Sequence, residues 1–186
     1  MKGKRLWQTL RLLTYRSDKK RSEWLRKNDV FYSMGDNVSL NMKIMPLYPK
    51  LISFGNNVKV ATGVTFVTHD VISMVLNNCA QYRYKENIGC IKVGDNVFIG
   101  AKSIIMPNVS IGSNVIIAAG TVVTKDIPDG EIWGGVPARR IGLFCEYMAK
   151  YKEICEDKVG FEEPGVEEIT ETRVKQEWAY FNELRN

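Results

Sequence analysis

At 186 residues, with 45% hydrophobic and 25% charged residues, the chain has the make-up of a globular protein with one sizeable core plus appendages. No apolar run approaches the ~20 residues of a membrane span and no secretory-type apolar segment opens the sequence, so a cytoplasmic protein without a transmembrane segment is expected. The net charge of +5 is spread unevenly: residues 1–30 carry ten Lys/Arg against three acids, residues 31–141 ten against seven, and residues 142–186 six against eleven.

A basic amino-terminal segment suits nucleic acid, anionic lipid, or the acidic tail of its own or a neighbouring chain. The opposite charge present in the same molecule favours the tail, and no nucleic-acid partner is expected. Four cysteines, Cys79, Cys90, Cys145 and Cys155, lack paired metal spacing, and the chain holds one histidine. No metal site is therefore expected, and the thiols read as reduced, with a Cys79–Cys90 redox pair as the alternative.

In chain order, residues 3–14 and 17–27 read as two short helices. Leu6, Trp7, Leu10 and Leu13 share a stripe that is expected to pack on the end of the following β-structure, and Ser17 with Asp18 suits a helix start. A corner signature follows twice, in Met34-Gly35-Asp36-Asn37-Val38 and Phe54-Gly55-Asn56-Asn57-Val58, twenty residues apart. From Phe54 a six-residue period is clean through FGNNVK, VATGVT and FVTHDV. It breaks after His69. Residues 70–90 fit no six-residue frame and read as an excursion loop, which a repeat tolerates at little closure entropy and often for a functional reason.

From Ile91 to Ile127 the period returns. Val93, Ile99, Ile105, Ile111, Ile117 and Val123 open successive units, and Val97, Ser103, Val109, Val115, Thr121 and Ile127 hold the fifth place. A helix would set apolar residues three and four apart, and a plain strand would alternate throughout. A fixed period of six predicts a parallel β-helix whose short strands meet at corners rich in Gly, Asn and Asp, with three units to a coil. The domain boundaries expected are 1–30, a basic helical segment; 31–141, the β-helix with its excursion; and 142–186, a helical extension. Within that extension, residues 143–156 form an amphipathic helix suited to covering the open end of the stack, 158–169 a linker, and 170–184 a last helix.

Three linked motifs, the repeats, IAAGTVVTKDIP at 117–128 and GGVPARRI at 134–141, resemble the hexapeptide-repeat acyltransferases. The branch resembled holds galactoside, maltose, serine and xenobiotic O-acetyltransferases and capsule or lipopolysaccharide acetyltransferases, and the resemblance spans about residues 34–141. It implies an all-β solenoid, a left-handed parallel β-helix, assembled as a homotrimer with acetyl-CoA in clefts between subunits. By position in the family's motifs, His69 corresponds to the catalytic histidine. Ala101 and Ala119 correspond to coil positions that hold the pantetheine arm, Thr124 and Lys125 to the pair near the nucleotide, and Arg139 to a phosphate-binding arginine. Asn41 falls where galactoside-type relatives contact the acceptor sugar. Pro49 stands where an acid is expected, and Gly142 where a second cofactor arginine is expected, with Arg140 as its substitute.

The chemistry fits those residue types. Acetyl transfer from a thioester to a hydroxyl requires removal of a proton as the C–O bond forms, and histidine, with an ordinary pKa near ~6.5, accepts it at neutral pH and returns it. Asp70 either orients the imidazole or points elsewhere. Trp133 either stacks on adenine or packs at the sheet edge, and Tyr82, Arg83, Tyr84 and Lys85 either line the acceptor pocket or form a solvated tip. The leading expectation is O-acetylation of a sugar or similar small acceptor in polysaccharide biosynthesis, with N-acetylation of an amino-sugar nucleotide as the alternative. A catalytically silent scaffold needs only the aliphatic positions, and a metal-dependent hydratase needs several histidines.

Overall fold

The structure is a computed structural model and describes residues 2–162 and 169–185, so part of the expected linker, 163–168, lies outside the described residues. Short strands recur along the chain because each aliphatic pair of the six-residue unit points inward and each intervening residue outward. Ser33–Met34, Ile52–Phe54, Ile91–Val93 and Val109–Ile111 stack in one parallel sheet. Ser39–Leu40, Val58–Val60, Val97–Ile99, Val115–Ile117 and Glu131–Gly134 stack in a second, which antiparallel Arg139–Leu143 closes. Thr65–Phe66, Ile104–Ile105 and Val122–Val123 form the third.

Register reports the length of each pass. Val93 pairs with Ile111, 18 residues on. Phe54 pairs with Val93 at a separation of 39, which is one 18-residue pass plus the 21 residues of 70–90. Met34 pairs with Phe54 at a separation of 20. Its two extra residues fall between Leu40 and Ile52, where a 3-10 turn, Pro49–Leu51, stands in place of a third-sheet strand.

All twelve first- and fifth-place residues between Val93 and Ile127 are buried. Each buried Val or Ile contributes about 1.5–3 kcal/mol. The two hydroxyls among them find backbone acceptors: Ser103 Oγ donates to Gly100 O at 2.8 Å, and Thr121 Oγ1 to Ala118 O at 2.7 Å.

The corners divide labour between Gly and Asn. Asn37, Asn57, Asn96 and Asn114 take the left-handed conformation, with φ of 54° to 56°. Their amides form a ladder: Asn37 Nδ2 donates to Asn57 Oδ1 at 2.8 Å, Asn57 to Asn96 at 2.9 Å, and Asn96 to Asn114 at 3.0 Å. The neighbouring glycines serve close approach instead. A Cβ on Gly94 would lie 2.7 Å from the carbonyl carbon and oxygen of Gly112 in the next pass.

Among the described residues there are also five helices: α1 (Lys2–Thr14), α2 (Asp18–Lys27), α3 (Ile72–Cys79), α4 (Phe144–Asp157) and α5 (Glu171–Glu183). None is long and apolar enough to cross a membrane. The expected packing stripe of α1 is corrected by the structure: Leu6, Trp7, Leu10 and Leu13 face outward, while Gln8 and Leu12 are buried. Polar anchors set that rotation. Arg5 Nε donates to Met45 O at 2.9 Å, and Thr9 Oγ1 accepts from Met45 N at 3.3 Å.

α2 seats Arg21, 2% exposed, against four acceptors: Leu12 O, Leu40 O, Tyr15 O and Asn41 Oδ1. Ser22 Oγ accepts from Leu40 N at 2.8 Å. Ser17 makes no side-chain cap; Asp18 instead accepts from Ser39 Oγ, which holds its carboxyl below the usual range.

The excursion is more ordered than a loop. His69–Asp70 pairs antiparallel with Asn87–Ile88, and α3 lies between them. The four cysteines are unpaired and exposed, so Cys79 and Cys90 form no disulfide.

By its internal contacts the chain divides into two compact units, Met1–Cys145 and Glu146–Asn186. In the second, Thr170 caps α5 by accepting from Arg173 N, and Glu177 takes Lys158 at 2.6 Å and Arg173 at 2.8 Å. The Lys158 hydrogen bond leads in holding the Glu177 carboxyl below its ordinary pKa.

Candidate active site

His69 follows the strand Thr65–Phe66 at the point where the excursion leaves the stack. Its backbone pairs with Ile88, and the preceding carbonyl, Thr68 O, accepts from Gly89 N at 2.9 Å. The return of the excursion thus pins the histidine from both sides. The imidazole is half-buried and lines a cavity of about 530 Å³. Opposite walls come from Met42 to Leu47, from Thr62 to Phe66, and from Arg5 of α1. The Met45 hydrogen bonds to Arg5 and Thr9 therefore fix one wall of the cavity to α1. The charged side chains lining it are Arg5 and Lys43.

Tyr48 stands edge-on to the His69 ring, with centroids 5.2 Å apart and planes at 71°. Sequence reading passed over Tyr48. The signal available was the two-residue expansion between Pro46 and Pro49, which marks an irregular pass but not the direction of the ring. Thr68 was also missed. It lines the cavity, is 1% exposed, and its Oγ1 has no hydrogen-bond partner among the described residues.

Asp70 does not orient the imidazole. Neighbouring residues in an extended segment point to opposite sides, and the Asp70 oxygens accept from Ile72 N at 3.0 Å and Asn87 Nδ2 at 2.7 Å. Tyr82, Arg83, Tyr84 and Lys85 are exposed and do not line this cavity. Asn41 does not line it either. Its Oδ1 accepts from Arg21 at 3.0 Å, and its Nδ2 donates to Thr62 Oγ1 at 2.6 Å, which fixes Thr62 in the wall.

The residues expected to hold the cofactor continue the same edge of the stack. Lys102 N donates to Thr62 O at 3.0 Å and Gly120 N to Ala101 O at 2.8 Å, so Thr62, Ala101 and Ala119 occupy equivalent corner positions in successive passes. Phe66, Ile105 and Val123 are in register, so Thr124 and Lys125 occupy the places two passes on that Val67 and Thr68 hold beside His69. Thr124, Lys125 and Arg139 are exposed, and Arg139 Nη1 donates to Ala138 O at 2.9 Å.

Lys125 Nζ lies 5.4 Å from the Trp133 ring, and Trp133 is buried, with Nε1 donating to Glu131 at 2.7 Å. Trp133 is thus an edge-packing residue, not an open face for adenine. Arg140 approaches the same Glu131 at 3.5 Å. The small side chains of Ala101 and Ala119 leave backbone accessible along the corner, and the exposed cations of Lys125 and Arg139 suit phosphates, so the edge fits a CoA thioester.

The family described as Bacterial transferase hexapeptide (six repeats) matches residues 90–125. The Bacillus subtilis (strain 168) protein named "Putative acetyltransferase YvoF" is 33% identical over 135 residues, covering 72% of this chain and 73% of that protein. The crystal structure of a maltose O-acetyltransferase from Clostridium difficile 630 is similar at 32% identity and a TM-score of 0.56, over 73% of this chain and 82% of the other. A galactoside acetyltransferase in complex with coenzyme A is similar at 26% identity and a TM-score of 0.53, over 76% and 81% of the two chains. With short parallel strands recurring at six-residue steps and a histidine where the 21-residue interruption of that rhythm begins, this chain belongs to the hexapeptide-repeat acetyltransferases.

Proposed function

We propose that the protein transfers the acetyl group of acetyl-CoA to a hydroxyl of a sugar or similar small acceptor, with His69 as general base. The observation that carries this reading is the position of the half-buried imidazole in a 530 Å³ cavity on the edge that continues through Ala101 and Ala119. The likeness to maltose and galactoside acetyltransferases supports a sugar as acceptor. The stack is then a left-handed solenoid, the assembly a homotrimer, and the setting cytoplasmic polysaccharide biosynthesis, as the family resemblance implies.

The thioester supplies an activated acetyl carbon. His69 removes the proton of the acceptor hydroxyl as its oxygen bonds to that carbon, and returns the proton to the sulfur as the C–S bond breaks. An O-acetyl ester and a free thiol result, and no covalent enzyme intermediate is needed. Backbone amides of the rigid corners are suited to receive the developing oxyanion without reorganisation; one such donor is worth about 3–4 kcal/mol. Ala101 and Ala119 hold the pantetheine arm, Thr124 and Lys125 the nucleotide end, and Arg139 a phosphate. Asn41 serves the acceptor indirectly, by fixing Thr62 in the wall.

The test is a thiol-release assay with acetyl-CoA over galactosides, maltose, nucleotide-linked amino-sugars and serine. Release stimulated by a sugar hydroxyl supports the reading. Release stimulated only by the amino-sugars or serine contradicts it.

A further inference from the structure

The outward side of α1 has a composition that the acetyl-transfer chemistry does not use. Leu6, Trp7, Leu10 and Leu13 are 62%, 58%, 54% and 56% exposed. At about 100° per residue they span an arc of roughly 120°, opposite Gln8 and Leu12, with Lys4 and Arg11 along its flank. Among the described residues the aromatic neighbour of Trp7 is Trp24, tilted at 5.8 Å. Elsewhere in residues 1–30 the cations are numerous and poorly matched. Arg21 is spent on backbone and amide oxygens and Arg26 on Asp36, while Lys4, Arg11, Arg16, Lys19 and Lys20 make no ion pair among the described residues.

Leucines with a tryptophan on one side, bordered by unpaired Lys and Arg, is the composition of a helix that lies in a lipid interface. The apolar side chains enter the boundary between headgroups and acyl chains, and the cations meet anionic headgroups. A second copy of this face is a poor occupant, because it would bring ten cations against ten with three acids each. At 13 residues α1 is too short to span a bilayer. We propose that α1 docks the protein onto an anionic membrane surface, lying in the plane of the interface. The docking side chains, Leu6, Trp7, Leu10 and Leu13, line no part of the His69 cavity, so docking and catalysis are separable.

The test is flotation of the full chain with vesicles of phosphatidylglycerol and phosphatidylcholine in equal parts, against phosphatidylcholine alone, at about 0.1 M salt. The protein is expected to float with the anionic vesicles, to remain in solution with the neutral ones, and to dissociate as salt is raised. Leu6→Asp with Leu13→Asp should weaken binding at least about tenfold and leave acetyl-CoA binding unchanged. Should that pair fail to fold, Lys4→Gln with Arg11→Gln, both exposed, reads the electrostatic half and should weaken flotation as well. The proposal is overturned if the wild type stays in solution with anionic vesicles, or if the folded variants float as well as the wild type. It is also overturned if sedimentation shows an assembly that the Leu6→Asp, Leu13→Asp pair dissociates, which assigns the face to a second copy.

Discussion

Tyr48 and His69 meet edge to face, their ring centroids 5.2 Å apart. The tyrosine comes from the one pass whose third-sheet strand is replaced by a 3-10 turn, so an irregularity in the repeat becomes a support for the imidazole. Tyr48→Ala is expected to lower kcat about tenfold with little change in the KM for acetyl-CoA, because a loosened ring spends less time in the reactive geometry. Tyr48→Phe keeps the edge contact and should keep the rate. Equal rates for the Ala variant and the wild type would remove Tyr48 as a positioning residue.

Gly94 tests the stacking of the corners. A methyl group there meets the backbone of Gly112 at 2.7 Å and Ser113 Oγ at 2.8 Å; the hydroxyl can turn aside, but the backbone cannot. Gly94→Ala should cost at least about 2 kcal/mol, seen as a fall in Tm by thermal unfolding. An unchanged Tm would mean that the passes are spaced more widely than described.

The Thr68 hydroxyl is buried with no hydrogen-bond partner among the described residues. Removing a polar atom that has lost its water and gained nothing is neutral or favourable by about 1 kcal/mol. Thr68→Val is therefore expected to hold or raise Tm. A clear loss of stability would show that the hydroxyl has a partner in solution.

Acid tests the junction between α2 and the first pass. The Ser39 hydroxyl leads in depressing the Asp18 carboxyl below its ordinary value of 3.8. A depressed folded pKa means stability that is fully present above the unfolded value and is lost as pH falls through the folded one. The Tm difference between wild type and Asp18→Ala should thus be constant from neutral pH to about pH 5 and shrink below about pH 4. A difference that persists at low pH would assign the contact to packing and not to charge.

Much of the fold was legible because it is written in a single repeated constraint. Val93 through Ile127 point inward at every first and fifth place, and the strand register has the same 18-residue spacing. The 21-residue interruption after His69 and the two-residue expansion before Ile52 were also visible as breaks in that rhythm. Rotation of α1 was not legible. Apolar periodicity marked Leu6, Trp7, Leu10 and Leu13 as the inner face, yet Arg5 and Thr9 bind both polar atoms of Met45 and turn that stripe outward. The site was readable at His69, which sits in sequence register. It was not readable at Arg5 or Thr68, which the cavity gathers from segments with no common motif, nor at Tyr48, which meets the His69 ring from outside the cavity lining. Asn41 shows the same limit: its position was identifiable, but its amide is committed to Arg21 and Thr62.

The most direct measurement is acetyl-CoA-dependent thiol release by wild type and His69→Ala, with a sugar acceptor that the wild type uses and with both proteins folded. Loss of a general base predicts a fall in kcat of about 10²–10⁴-fold, with acetyl-CoA still raising Tm in both. Turnover by His69→Ala within about threefold of the wild type would contradict the account, since a catalysed rate that survives without the imidazole does not depend on it.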